Sequence, residues 1–292
     1  MQANIFSHAL MILATLLIST SFPVCQILAP KLDTGVLTFL RFFLAALIFL
    51  PIVFFRYKLK WPTPKKLFQY SLISLCLIIF FWSMFEALRY TSTLNTGALY
   101  ALIPGISAMF SLILVREELH FGKVLAFFFG IIGCVWVIFR GDIGAFLSLD
   151  YHQGDLIFLG GVILMSLYMP LVKYFHSGEP VPIMTFWIIV SGAVWLFLFN
   201  YKTIQEVRFL EIEFSILLGL GYLAIFTTIV TFFILQFVTI QIGPTKVAGY
   251  SYLNPVAVLL VGSAFFGQAI PSFIVLPGIA IILLSVFVIQ KR

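Results

Sequence analysis

Apolar residues fill long blocks of this 292-residue chain, and polar residues are confined to short intervals between them. Ten blocks stand out: Phe6–Leu28, Val36–Phe55, Leu67–Leu88, Leu94–Val115, Val124–Phe139, Leu156–Phe175, Ile183–Phe199, Phe214–Val238, Val247–Phe266 and Phe273–Ile289. An apolar run of about 20 residues rises about 30 Å as a helix, which matches the hydrocarbon thickness of a bilayer. The alternating period of a half-buried strand is absent from these blocks, so the pattern predicts ten membrane-spanning helices. The fifth block is short for a span. Flanking residues or local bilayer adjustment complete such a helix.

Composition agrees with this reading. Hydrophobic residues make up 62% of the chain and charged residues 10%, with a mean hydropathy of +1.13. Soluble domains carry roughly 25% charged residues, so water cannot be the solvent for most of this surface. The 34 phenylalanines suit lipid-facing positions. The net charge of +6 follows from Lys and Arg in the short loops, which points to orientation in a membrane and away from nucleic acid. Placing the N-terminus in the cytoplasm puts eleven basic residues inside, including the cluster Arg56, Lys58, Lys60, Lys65 and Lys66, and five outside. Both termini are therefore expected to be cytoplasmic. The first block lacks a basic leader and has the length of a full span, so it is expected to remain as a helix.

The blocks also repeat. Pro104 interrupts the fourth and Pro255 the ninth, 151 residues apart, and Pro23 in the first block resembles Pro170 in the sixth. Five spans is an odd number, so the second set must cross the membrane upside down relative to the first. The expected architecture is an all-α integral membrane protein of ten helices in two inverted five-helix repeats. The first repeat covers 1–140, an outside linker 141–153, and the second repeat 154–292. Inverted repeats with Pro-interrupted helices in matching places are the layout of secondary transporters.

Several segments together resemble the EamA-type members of the drug/metabolite transporter superfamily: Ser19-Thr20-Ser21-Phe22-Pro23-Val24, Phe39-Leu40-Arg41-Phe42-Phe43-Leu44-Ala45-Ala46, Ala87-Leu88-Arg89-Tyr90-Thr91-Ser92, Glu117-Glu118-Leu119 and Tyr252-Leu253-Asn254-Pro255-Val256. The resemblance covers nearly the whole chain. It implies a ten-helix bundle around a central solute cavity that moves metabolites, amino acids or related compounds. Three places depart from the family pattern: Gly267-Gln268 in the second half and Arg116-Glu117 in the first, where Gly-Glu is usual, and the first helix, which lacks the common Trp-Gly.

Candidate site residues come from polarity inside the spans. Arg41 and Glu86 lie at similar shallow depth near the outer side, where charges are costly and are usually paired or face a cavity. They are expected either to play a structural part, as an ion pair or with Arg41 snorkelling to the interface, or to meet solute or carry a proton, with Glu86 the better proton carrier. Pro23, Pro104, Pro170 and Pro255 are expected to break their helices and shape the cavity. Ser21, Gln26, Asn95, Tyr100, Tyr168, Tyr250, Tyr252 and Asn254 flank those breaks, and Trp82 and Phe85 lie near Glu86. Tyr and Trp join an apolar face to a polar handle, which suits an amphipathic solute. Each also has a plain structural reading, because polar groups in membrane helices mostly bond to backbone or to neighbouring helices.

Enzymatic chemistry finds no support. The four histidines are scattered near loops, no metal-ligand spacing or phosphate-cradling loop occurs, and Cys25, Cys76 and Cys134 sit in separate blocks as free thiols. No metal or cofactor is expected. The expected function is alternating-access transport of a small amphipathic metabolite, an amino acid or related compound, across a bacterial inner membrane. Exchange of a nucleotide-like or S-adenosylmethionine-type metabolite is the alternative. The expected partners are the solute, the lipid bilayer and, as a candidate coupling ion, the proton. The protein would act as a monomer or homodimer.

Overall fold

The computed structural model describes residues 2–28, 31–150, 152–207, 212–267 and 272–291. Gln268, named above, and Arg208 and Arg292, two of the basic residues counted in the orientation argument, lie outside them. Among the described residues all regular structure is helical, and ten helices are long and apolar enough to span a membrane. In hydrocarbon every backbone N–H and C=O must find a partner within the chain, and a helix supplies it locally.

The spans are α1 (Gln2–Leu28), α2 (Thr34–Tyr57), α3 (Pro64–Ala87), α4 in two pieces (α4a, Thr93–Tyr100; α4b, Ile103–Leu114) and α5 (Phe121–Ile138). They continue with α6 (Gln153–Phe175), α7 (Val181–Phe199) and α8, which runs Phe214–Ala224, a π-helical turn Ile225–Val230, and Thr231–Ile242. α9 is again in pieces: α9a (Pro244–Gly249), a 3₁₀ stretch Tyr250–Leu253 and α9b (Asn254–Phe265). α10 (Leu276–Gln290) closes the chain. Helix starts follow local chemistry. Asp33 accepts from the N–H groups of Gly35 and Val36, and Thr63 and Ser92 cap α3 and α4a in the same way.

The prolines do not all act alike. Pro104 sits at the start of α4b and Pro255 at the start of α9b, so both mark real interruptions. At a first-turn position the missing proline N–H costs nothing, because that donor has no intrahelical partner anyway. Pro23 and Pro170, by contrast, lie inside unbroken helices, which corrects the expectation that they break α1 and α6. Losing one hydrogen bond is not enough to undo a helix whose other backbone groups have nowhere else to go.

Contacts across the bundle fix which loops share an end. At the near end, where α1 begins, Lys66 bonds to Phe175 O, Ser177 and Glu179; Glu117 accepts from the Thr245 N–H; and Gln290 donates to Lys246 O. At the far end Lys31 pairs with Glu213 at 2.8 Å, Thr91 and Asn95 bond to Asp155, and Trp136 donates to Ile274 O.

Packing between the halves is nearly unchanged when they are exchanged. α3 packs on α6 and α8 on α1; α3 on α7 and α8 on α2; α4b on α6 and α9b on α1. α2–α7 and α5–α10 are their own counterparts. Lipid tails are as apolar as Leu, so close approach and hydrogen bonds hold such helices together. Gly161 of α6 meets Ser83 of α3 with no room for a side chain, and Gly133 and Gly278 abut each other's backbone between α5 and α10. Large exposed side chains such as Phe55, Phe121, Phe265 and Phe273 line the outside of the bundle.

Candidate functional site

The far end holds a cavity of about 180 Å³ between the start of α2, the end of α3 and the end of α7. Three sequence-derived candidates, Trp82, Phe85 and Glu86, line it together, with Phe81, Thr38 and Asn200. The helix periodicity of α3 accounts for the first group: positions 78, 81, 82, 85, 86 and 89 fall on one face. Gly35 completes the mouth, because a side chain there would collide with the Asn200 carboxamide. Glu86 pairs with Arg89 one turn on, at 3.4 Å, and Arg89 is largely exposed. The cavity therefore offers an aromatic wall and a polar rim.

Arg41 lies behind that wall. It is only 7% exposed. Its Nε donates to Thr228 Oγ1 and its Nη2 to Thr227 O, both at 2.6 Å. Its guanidinium carbon stands 5.8 Å from the centre of the Phe81 ring, at a cation–π distance. Both acceptors lie in the π turn of α8, and π turns are frequent at functional sites. Neither structural expectation for these charges holds: the ion pair Arg41–Glu86 does not form and Arg41 does not snorkel to the interface, because α8 takes up the buried guanidinium and Arg89 takes up the carboxylate. Nothing in the residue pattern of α8 signalled the π turn. Thr227 and Thr228, whose hydroxyls both bond to Leu223 O, are the residues that reading missed, with Phe81 and Asn200.

The remaining candidates do not gather in this cavity. Asn254 donates to Tyr100 Oη at 3.1 Å, joining the two helix interruptions across the middle of the bundle. The Ser107 hydroxyl, one turn past Pro104, is buried without a partner among the described residues. Tyr168 is fully buried and accepts from Gln236, which in turn accepts from Thr185, a chain tying α6, α7 and α8. Tyr252 donates to Phe127 O, and Tyr250 bonds to His8. Asn95 bonds to Asp155, Asp150 O and Ser92, which pins the linker to α4a. Ser21 donates back to Ile18 O, and Gln26 is exposed at the far end of α1. Polar residues near helix breaks thus divide into cavity lining and interhelical bonding, and spacing alone does not separate the two.

At the near end Glu117 plays a role that sequence reading did not assign. Its carboxylate accepts from the Thr245 N–H at the start of α9a and fills the space beside Gly243, whose φ is +94°. The preceding residue, Arg116, has φ +58° in a left-handed turn. Adding the Pro104–Pro255 offset of 151 to 116 gives Gly267, with φ +66°. Both helix 4 and helix 9 thus end in a residue of positive φ, and that residue is a glycine only in the second half. A left-handed turn at a non-glycine costs about 1 kcal/mol.

Four likenesses place the chain among known proteins. The chain is 28% identical over 246 residues to the uncharacterized transporter YyaM of Bacillus subtilis (strain 168), covering 83% of this chain and 80% of that protein. It is 26% identical over 262 residues to an uncharacterized transporter of Archaeoglobus fulgidus, covering 86% of each. A solved crystal structure superposes with a TM-score of 0.79 over 97% of this chain and 95% of its own, at 20% identity, which establishes likeness of fold alone. The model of the EamA-like transporter family matches twice, over residues 5–139 and 152–290, and so takes in both sets of five spans. The protein is a multi-pass membrane transporter belonging to the EamA-like transporter family.

Proposed function

We propose that this transporter is a secondary carrier with two inverted five-helix halves, moving a small amphipathic metabolite, an amino acid or related compound, by alternating access across a bacterial inner membrane. Both termini would lie in the cytoplasm, which makes the near end cytoplasmic and the far cavity an outside vestibule.

The observation that carries this reading is where the exchange symmetry fails. The far cavity opens between α2, α3 and α7. At the near end α8 packs against α7, whereas the exchanged pair, α3 and α2, has no comparable packing among the described residues; the near-end hollow between α2 and α7 is walled by apolar side chains such as Phe54, Phe55, Trp61 and Trp187. Likewise α4b packs on α9a at the near end, while α4a and α9b have no comparable packing at the far end. Two equivalent halves in two different arrangements are what a carrier needs: exchanging the arrangements opens the other end. The structure is then the outward-facing state. A channel would need both ends open at once.

Proteoliposome counterflow tests the reading. A metabolite panel is first screened by thermal shift on the purified protein. Any binder should then show saturable uptake, accelerated by unlabelled solute inside the vesicles. Flux that rises linearly with concentration and shows no acceleration would mark a pore.

A further inference from the structure

We propose that Arg41 is the anion-holding residue of this carrier, and that the solute presents a carboxylate to it from the far cavity once the Phe81 ring moves aside. The inference rests on the carrier reading above and names the solute's charge class.

Four observations support it. Arg41 is more than nine-tenths buried, seven residues into α2, or roughly 10 Å along the helix from Thr34. A charge at such depth is retained only where something compensates it. The groups nearest to that role are absent: Glu86 is held by Arg89, Asp33 caps its own helix, and no carboxylate lies within 4.0 Å of the guanidinium among the described residues. Guanidinium has five N–H donors. Two are used, on Thr228 Oγ1 and Thr227 O. The two on Nη1 and one on Nη2 have no acceptor among the described residues. A planar fork with free parallel donors matches a carboxylate.

The fourth observation is the partition between charge and cavity. Phe81 both lines the cavity and covers Arg41 at cation–π distance, so it is the wall between them. Thr38, one turn before Arg41 on α2, lines the same cavity. The fold itself does not demand the cation. The offset of 147 that relates Pro23 to Pro170, and Thr34 to Val181 at the starts of α2 and α7, places Ile188 opposite Arg41. Ile188 is apolar and fully buried. One half carries a buried charge where its counterpart packs a hydrocarbon, as a polar solute anchor on one side of a shared chamber would require.

The alternative is that Arg41 only staples α2 to the π turn of α8. Thermal-shift titrations of the full-length protein with matched pairs separate the two: L-phenylalanine against L-phenylalaninamide, L-leucine against L-leucinamide, and 3-phenylpropionate against its amide. The expected result is that acids bind at least tenfold more tightly than their amides, that Arg41→Gln abolishes this preference, and that Arg41→Lys keeps part of it. A staple alone would lower the melting temperature of the unliganded variants and leave the acid-to-amide ratio unchanged. Equal binding of acids and amides to the wild type, or a preference that survives in Arg41→Gln, overturns the inference and leaves the carrier reading standing. Should Arg41→Gln fail to fold, the wild-type ratio and Arg41→Lys decide the matter. No saturable binding of any member of the pairs, together with failed counterflow across the wider panel, overturns the carrier reading itself and the inference with it.

Discussion

Replacing Glu117 by Gln should loosen the closed near end. The carboxylate accepts the Thr245 N–H at 3.2 Å and lies against Gly243, so it joins the end of the first half's broken helix to the start of the second's. A carboxylate at a helix N-terminus contributes about 0.3–1 kcal/mol through the dipole, and a charge-assisted hydrogen bond about 1.5–3 kcal/mol. Glu117 is half-exposed and water screens it, so the low part of that span applies, about 1–2 kcal/mol. If the contact exists only when the near end is closed, its loss shifts the equilibrium by roughly 5- to 30-fold. A near-open state populated at about 1% would rise to about 10%. The assay is the rate at which a membrane-impermeant thiol reagent, applied from the near side, labels a single cysteine at Ser107, in a background with Cys25, Cys76 and Cys134 replaced. Ser107 is enclosed when the near end is closed. Labelling should rise in Glu117→Gln and rise further in Glu117→Ala. Equal labelling in all three proteins would refute the gating role, and faster labelling from the far side would reverse it.

Three further outcomes follow from the packing. Tyr168→Phe leaves Gln236 short of one acceptor in a fully buried site, so it should lower stability by about 0.6–1.7 kcal/mol and leave solute affinity unchanged; chemical-denaturation curves and binding titrations check the two parts. Gly161→Ala should destabilise the α3–α6 contact by about 1–3 kcal/mol, because its methyl would strike Ser83 and crowd the Phe80 backbone. Adding Ser83→Gly should restore part of that loss, seen as a non-additive melting temperature in the double variant. The third concerns pH at the near end. Burial opposes ionisation of Glu179, but hydrogen bonds from Lys66, its own backbone and Ser177 outweigh it and hold the carboxyl below its ordinary value of 4.5. A lowered carboxyl stabilises the fold fully above that ordinary value. The contribution is lost as pH falls from about 4.5 through the folded-state value. Melting temperature against pH should show this acid-side loss, and Glu179→Gln should flatten it.

The ten spans were legible because length and apolarity are properties of each segment alone. The 151-residue offset was legible too, and it extends to backbone geometry in the shared left-handed turns at Arg116 and Gly267. The unequal behaviour of the prolines was not. Pro23 and Pro104 look alike in sequence, yet only Pro104 begins a new helix, where its missing donor is harmless. Arg41 and Glu86 were recognisable as costly charges, but their partners were not. Those depend on a π turn in α8, 187 residues away, and on a choice of Arg89 over Arg41 that only packing decides. Tyr168 and Trp82 had equal claims as aromatic candidates; three-dimensional contact gave one to Gln236 and the other to the cavity wall. Glu117 stood out only as part of a motif, because nothing near it in sequence announces a bond to Thr245, 128 residues on.

The most direct measurement locks the near end shut. Glu117→Cys and Thr245→Cys, introduced together into a cysteine-free background, are joined by a short bifunctional thiol cross-linker that a reducing agent can cleave. Transport of a counterflow-positive solute is then followed before and after cleavage. The account predicts that cross-linked protein still binds solute at the far cavity but stops moving it, and that cleavage restores movement. Undiminished transport by fully cross-linked protein would contradict it, since a carrier held closed at one end cannot deliver its cargo there.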